Sequence, residues 1–142
     1  LDEQLLQVEK HVRLTHRNQH VSEAASAMTR ILYSLKQGLD LRKALESHVK
    51  QWSSIGQFDT WTHFPDRTVI GRHLTMACYL PESFTASLYL CWKYAEDFSA
   101  GILANAPCGG DNCHRGAVVG ALLGAANGVP REWIQGLIKT PV

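Results

Sequence analysis

The residues best placed to do chemistry lie in one turn, Gly109-Gly110-Asp111-Asn112-Cys113-His114. A glycine pair reaches backbone angles closed to other residues. Here it delivers a carboxylate to the start of a helix, where free N–H groups favour negative charge. Two readings follow for Asp111. It is an N-cap with a flexible approach, or it is a ligand for a hard cation such as Mg²⁺, which takes oxygen donors and keeps several waters. Asn112 could add a carbonyl oxygen or a hydrogen bond. Cys113 and His114 are softer groups. Adjacent residues rarely chelate one ion, and no CxxC pair supplies the other donors of a tetrahedral zinc site. A nucleophilic thiol would draw its base from elsewhere in the chain, although a helix N-terminus lowers a thiol's pKa. The favoured reading of Cys113 is partial burial beside the site.

Two further groups invite a chemical reading. Thr15-His16 closes the first helical stretch, with His11 and His20 nearby, and a histidine there is more often a surface group favoured by the helix dipole than a ligand contact. Phe58, Trp61, His63 and Phe64 could stack on a base or sugar. Packing a long loop onto the core is the simpler use.

The elements that must hold these residues are helical. Asp2 to His16 is loosely periodic, with acid early and base late. From Val21 the apolar residues Ala24, Ala25, Met28, Ile31, Leu32 and Leu35 recur at three and four, and Gly38 stops the run. Asp40 caps Leu41 to about Trp52. Gly56 to Arg72 reads as a structured loop, Arg72 to Leu80 as a short helix, Glu82 to about Ala95 and Asp97 to Asn105 as helices, and Pro130 opens a last one. The helix from about Asn112 to Asn127 carries glycine at 116, 120 and 124, with Gly128 just past its end. Each glycine inside a helix costs about 1 kcal/mol relative to alanine, so the stripe predicts a second helix in close approach. No segment alternates at period two. The expectation is one all-α unit over residues 1–142, a compact multi-helix orthogonal bundle.

At 142 residues, 45% hydrophobic, 19% charged and +1 in net charge, the composition is that of an ordinary globular domain. It offers no electrostatic basis for nucleic-acid capture. The longest apolar run, Gly116 to Ala126, is short of the roughly 20 residues that span a bilayer. The four cysteines are read as reduced thiols of a cytoplasmic compartment, although Cys108 and Cys113 could bridge under oxidation.

Several segments, in order, resemble the ADP-ribosylglycohydrolase family, which includes the ADP-ribosylhydrolases and the dinitrogenase reductase-activating glycohydrolase. They are Leu14-Thr-His-Arg-Asn-Gln-His20 with the alanine-rich helix and Gly38-Leu-Asp-Leu after it, Tyr79-Leu-Pro-Glu-Ser-Phe-Thr-Ala-Ser-Leu-Tyr89, Asp97-Phe, Ile102 to Gly128, and Val129-Pro-Arg-Glu-Trp-Ile-Gln-Gly-Leu137. The most specific piece is the turn, which is similar to the family's Gly-Gly-Asp-x-Asp-Thr/Ser before a glycine-rich helix. The resemblance implies an all-helical fold holding two Mg²⁺ ions, or Mn²⁺ in their place, which orient the ribose and a water while ADP-ribose is cut from a protein side chain or a small molecule. By position Asp111 matches the first metal aspartate, Cys113 stands where the second would be, and His114 replaces Thr/Ser. His16 matches a histidine lining the substrate cleft. Gly109, Gly110, Asn112, Cys113 and His114 would face the substrate with it. The family's other acidic ligands lie in an N-terminal half, near an Asp-Asp-Thr-like motif. The chain is therefore expected to be the C-terminal part of a larger domain, inactive alone, with exposed apolar surface through which it could dimerise. The alternative is a module that binds ADP-ribose, or serves structurally, without turnover.

Overall fold

The computed structural model describes residues 1–50 and 55–137. Helices dominate, and among the described residues the only β feature is an isolated bridge between Ile70 and Leu74. The all-α expectation holds.

Helix α1 (Asp2–Thr15) lies along α2 (Gln19–Lys36) and buries no residue of its own. The second helix starts two residues before the periodic run. The Asn18 side chain accepts from the His20 and Val21 N–H groups and so captures an extra half-turn. Gly38, at φ 88°, ends it. Asp40 then accepts from the Lys43 N–H and caps α3 (Leu41–His48). This helix stops at His48, and the expected end at Trp52 falls outside the described residues.

The stretch from 56 to 80 differs from the sequence reading. The expected loop contains α4 (Ile55–Trp61) and a single turn, α5 (Asp66–Thr68). The cause is burial. Phe58 is 1% exposed and sits edge-on to Tyr89 at 5.7 Å and Trp92 at 6.3 Å, and such tertiary packing overrides a local sequence of turn formers. The expected helix from Arg72 to Leu80 does not form. A wide turn at Val69–His73 breaks at Ile70 and at Gly71, whose φ is 143°. The chain then runs irregularly until α6 (Glu82–Lys93).

The centre is α6, in which every residue from Phe84 to Trp92 is buried. Against it pack α7 (Phe98–Asn105), capped by Asp97 through the Ala100 N–H, and α8 (Asn112–Asn127). A short α9 (Arg131–Gln135) follows. The glycine stripe meets α7 as its spacing predicts. The side chains nearest a Cβ built at Gly116, Gly120 and Gly124 include Asn105, Ile102 and Phe98 respectively, a row down α7. The fit is reciprocal, because a Cβ at Gly101 of α7 would overlap Leu123 of α8 and lie 3.2 Å from Tyr94 Cβ. Two substitutions should therefore differ in sign. Gly101→Ala overpacks a closed core and is expected to lower stability by about 1–3 kcal/mol. Gly120→Ala meets nothing nearer than Ile102 at 3.5 Å and is expected to raise it by about 0.5–1 kcal/mol. Urea midpoints of the two variants check both signs.

Candidate functional site

The turn between α7 and α8 is fixed by backbone geometry that glycine alone tolerates. Gly109 lies at φ 69°, ψ −164°, a region essentially closed to other residues, and Gly110 at φ 63°. The Asp111 N–H then donates to the Met76 carbonyl at 2.9 Å. That bond is why residues 74–80 are irregular: the segment is laid against the turn by a partner 35 positions away in the sequence, which local periodicity does not register.

Behind the turn is a residue the sequence reading passed over. Arg115 is 5% exposed, and its Nε donates to Asn105 Oδ1 and Nη2 to the Gly109 carbonyl, both at 2.7 Å. Asn105 in turn donates to the Asn112 carbonyl at 2.8 Å, and Asn112 Nδ2 to the Ala106 carbonyl at 3.1 Å. The turn is thus held by side chains from both flanking helices. The signal was available: Arg115 shares the buried face of α8 with Val119, Leu122 and Leu123, so an arginine stood on an apolar stripe at helical spacing. Burial holds its guanidinium below the usual pKa, although Cys108 and Asp111 act in the opposite direction. Burial likewise raises the Cys108 thiol, which donates to the Ala104 carbonyl at 3.1 Å.

Asp111 occupies the N-cap position, but its side chain accepts no helix N–H, contrary to the capping reading. Its Oδ1 instead meets His114 Nδ1 at 2.5 Å. The histidine one turn on competes for the carboxylate that the helix N–H groups would otherwise receive. The Asp111 side chain is 23% exposed and that of His114 is 86% exposed.

Asp111, His114 and Arg115 line a cleft of about 300 Å³ together with Cys78, Ser83 and Phe84. Gly109, Gly110 and Asn112 shape the turn without lining this cleft. Cys113 is an exposed free thiol, a correction to the expected partial burial. The reason is that α7 ends at Asn105, opposite Gly116, one turn short of Cys113. Cys108 is also free, and it is buried. His16 stands away from the cleft lining. It is exposed at the end of α1, and its Nδ1 lies 2.9 Å from Thr15 Oγ1. Among the described residues, no group of three or more His, Cys, Asp or Glu side chains is arranged to hold a metal ion.

The model of the ADP-ribosylglycohydrolase family matches residues 2–141, nearly the whole chain. The chain belongs to that family. No curated protein and no solved structure matches it. At family level this makes it an ADP-ribosylglycohydrolase-type hydrolase. Among the described residues of the chain, no helix is long and apolar enough to cross a membrane. In its glycine turn the carboxylate of Asp111 is paired with an imidazole at i+3.

Proposed function

We propose that the chain forms one wall of a cleft that takes ADP-ribosylated proteins or small ADP-ribosyl compounds and hydrolyses the glycosidic bond at the ribose. The observation supporting this is the placement of Asp111. Its carboxylate is largely shielded from solvent on the wall of a cleft, with one oxygen on His114 and no other protein partner among the described residues. A shielded carboxylate is a strong acceptor for ribose hydroxyls or for a water held beside the anomeric carbon. His114, held through Nδ1, keeps Nε2 for a second contact.

The cation implied by the kinship is Mg²⁺, or Mn²⁺ in its place, which as a Lewis acid would stabilise charge at the sugar. Such an ion requires several oxygen ligands in near-octahedral order. Asp111 supplies one carboxylate, but Cys113 faces solvent, a thiolate suits softer metals, and His114 already holds Asp111 Oδ1. The described residues do not make a Mg²⁺ site by themselves.

The test is release of free ADP-ribose from ADP-ribosylated protein and from a small ADP-ribosyl compound by the full-length protein, assayed in Mg²⁺, in Mn²⁺ and in EDTA. Release that is lost in Asp111→Ala is the expected result. The engagement of Asp111 by His114 favours one other reading, a module that binds ADP-ribose without turnover. Tight binding with no release under any cation would select it, and neither binding nor release would remove both.

A further inference from the structure

We infer that Arg115 is the oxyanion-recognition residue of this cleft, and that the phosphoryl group of a sugar phosphate binds there without a divalent cation. The inference rests on the proposed ADP-ribosyl cleft and names which part of the ligand goes where. The carrying observation is a buried arginine with no carboxylate in ion-pair contact among the described residues. Arg115 is 5% exposed, and its two hydrogen bonds go to neutral groups, the Asn105 amide oxygen and the Gly109 carbonyl. Among the described residues, no carboxylate lies within 4 Å of it; Asp111 is paired with His114 instead. Buried charges are ordinarily paired, and one left uncompensated is costly.

Nη1 has no hydrogen-bond acceptor among the described residues. Since no fully buried side-chain nitrogen or oxygen among the described residues lacks a partner, Nη1 keeps access to solvent, and Arg115 is one of the residues lining the cleft. The guanidinium is held rigidly by Nε and Nη2, so its free edge presents donors in a fixed direction, the geometry that suits a phosphate oxygen. Asp111 lies on the same wall. The guanidinium attracts an oxyanion and the carboxylate accepts hydroxyl donors, so a ligand carrying both sugar hydroxyls and an oxyanion satisfies the two residues together. A ribosyl diphosphate is such a ligand.

Binding of inorganic pyrophosphate, ADP-ribose and adenosine to the full-length protein in EDTA, by calorimetry, tests this. Pyrophosphate and ADP-ribose should bind and compete, and adenosine should not displace pyrophosphate. Added Mg²⁺ should leave pyrophosphate affinity within about twofold. Arg115→Lys should weaken both by about tenfold or more, because an ammonium cannot hold the turn and present a fixed donor edge at once. Arg115 also supports the turn, so a second variant guards against misfolding. Cys78→Asp places a negative charge in the cleft lining at an exposed position and should weaken pyrophosphate by a similar factor. Unchanged pyrophosphate affinity in both variants, or binding only in the presence of Mg²⁺, overturns the inference. If pyrophosphate binds and is lost in both variants while ADP-ribosylated substrates are neither bound nor cleaved, the oxyanion site stands and the hydrolase reading falls. If substrates are cleaved and pyrophosphate neither binds nor inhibits, the hydrolase reading stands and the oxyanion site falls.

Discussion

Gly110→Ala is expected to lower stability by about 3 kcal/mol or more and to displace Asp111 from the cleft. Two independent effects add. Gly110 sits at φ 63°, where an L side chain costs about 1–2 kcal/mol. A Cβ there would also overlap the Met76 carbonyl oxygen and stand 2.6 Å from Met76 Cβ. That carbonyl is backbone, and it accepts the Asp111 N–H. Any shift that relieves the overlap breaks the bond and leaves two backbone groups unsatisfied, at about 1–3 kcal/mol. Gly109→Ala is the control. It lies at φ 69° but a Cβ there meets nothing within 4 Å, so it should show the backbone strain alone. Equilibrium unfolding measures the totals, and amide exchange at Asp111 separates them: fast exchange in Gly110→Ala, retained protection in Gly109→Ala. Retained protection of the Asp111 amide in Gly110→Ala would mean that the Met76 contact contributes nothing.

What could be read from the sequence follows the range of the interactions involved. Helix α8 was legible from end to end, because its limits are written locally, as a Gly-Gly turn before Asn112 and Gly128 after Asn127. Asp40 and Asp97 were legible as helix starts for the same reason: each caps a donor three residues away. The glycine stripe predicted a close helix, though not which one. Residues 55 to 80 were misread because their order comes from afar, through Phe58 against α6 and Met76 against Asp111. Arg115 escaped notice because its partners are an amide ten residues back and a carbonyl exposed only by the Gly109 conformation. Asp111 was found by type and position. Its orientation was not, since N-cap preference favoured the helix N–H groups and the competing imidazole at i+3 was judged only as a metal or catalytic group.

The other large effect lies away from the cleft, at Asp66. Its Oδ1 accepts from Tyr89 at 3.0 Å and Lys93 at 2.9 Å, and its Oδ2 from Tyr94 at 2.6 Å. The Asp66 and Lys93 side chains are 14% and 19% exposed. The network ties the irregular region to α6 and to the start of the chain segment leading into α7, so it supports the wall on which the cleft is built. Asp66→Ala removes one partner of a shielded ion pair, strips Tyr94 of its acceptor and leaves Tyr89 only the longer bond to the Trp61 carbonyl, and is expected to cost about 3–5 kcal/mol. The same network makes an alkaline prediction. Burial, reinforced by the Asp66 carboxylate, raises the Tyr89 and Tyr94 phenols well above the ordinary 10.0. In the unfolded chain both ionise near pH 10, while in the folded protein they keep their protons, so the folded state binds more protons above that pH and stability falls as pH rises. The slope is about 1.4 kcal/mol per pH unit for each tyrosine. Urea unfolding between pH 9 and 11 should show the decline in the wild type, to which the buried Cys91 and Cys108 thiols, also raised by burial, add, and Tyr94→Phe should make it shallower by up to about 1.4 kcal/mol per pH unit. A wild-type stability flat across that range would mean that the phenols are not held by Asp66 and that the irregular region is anchored by its aromatic contacts alone.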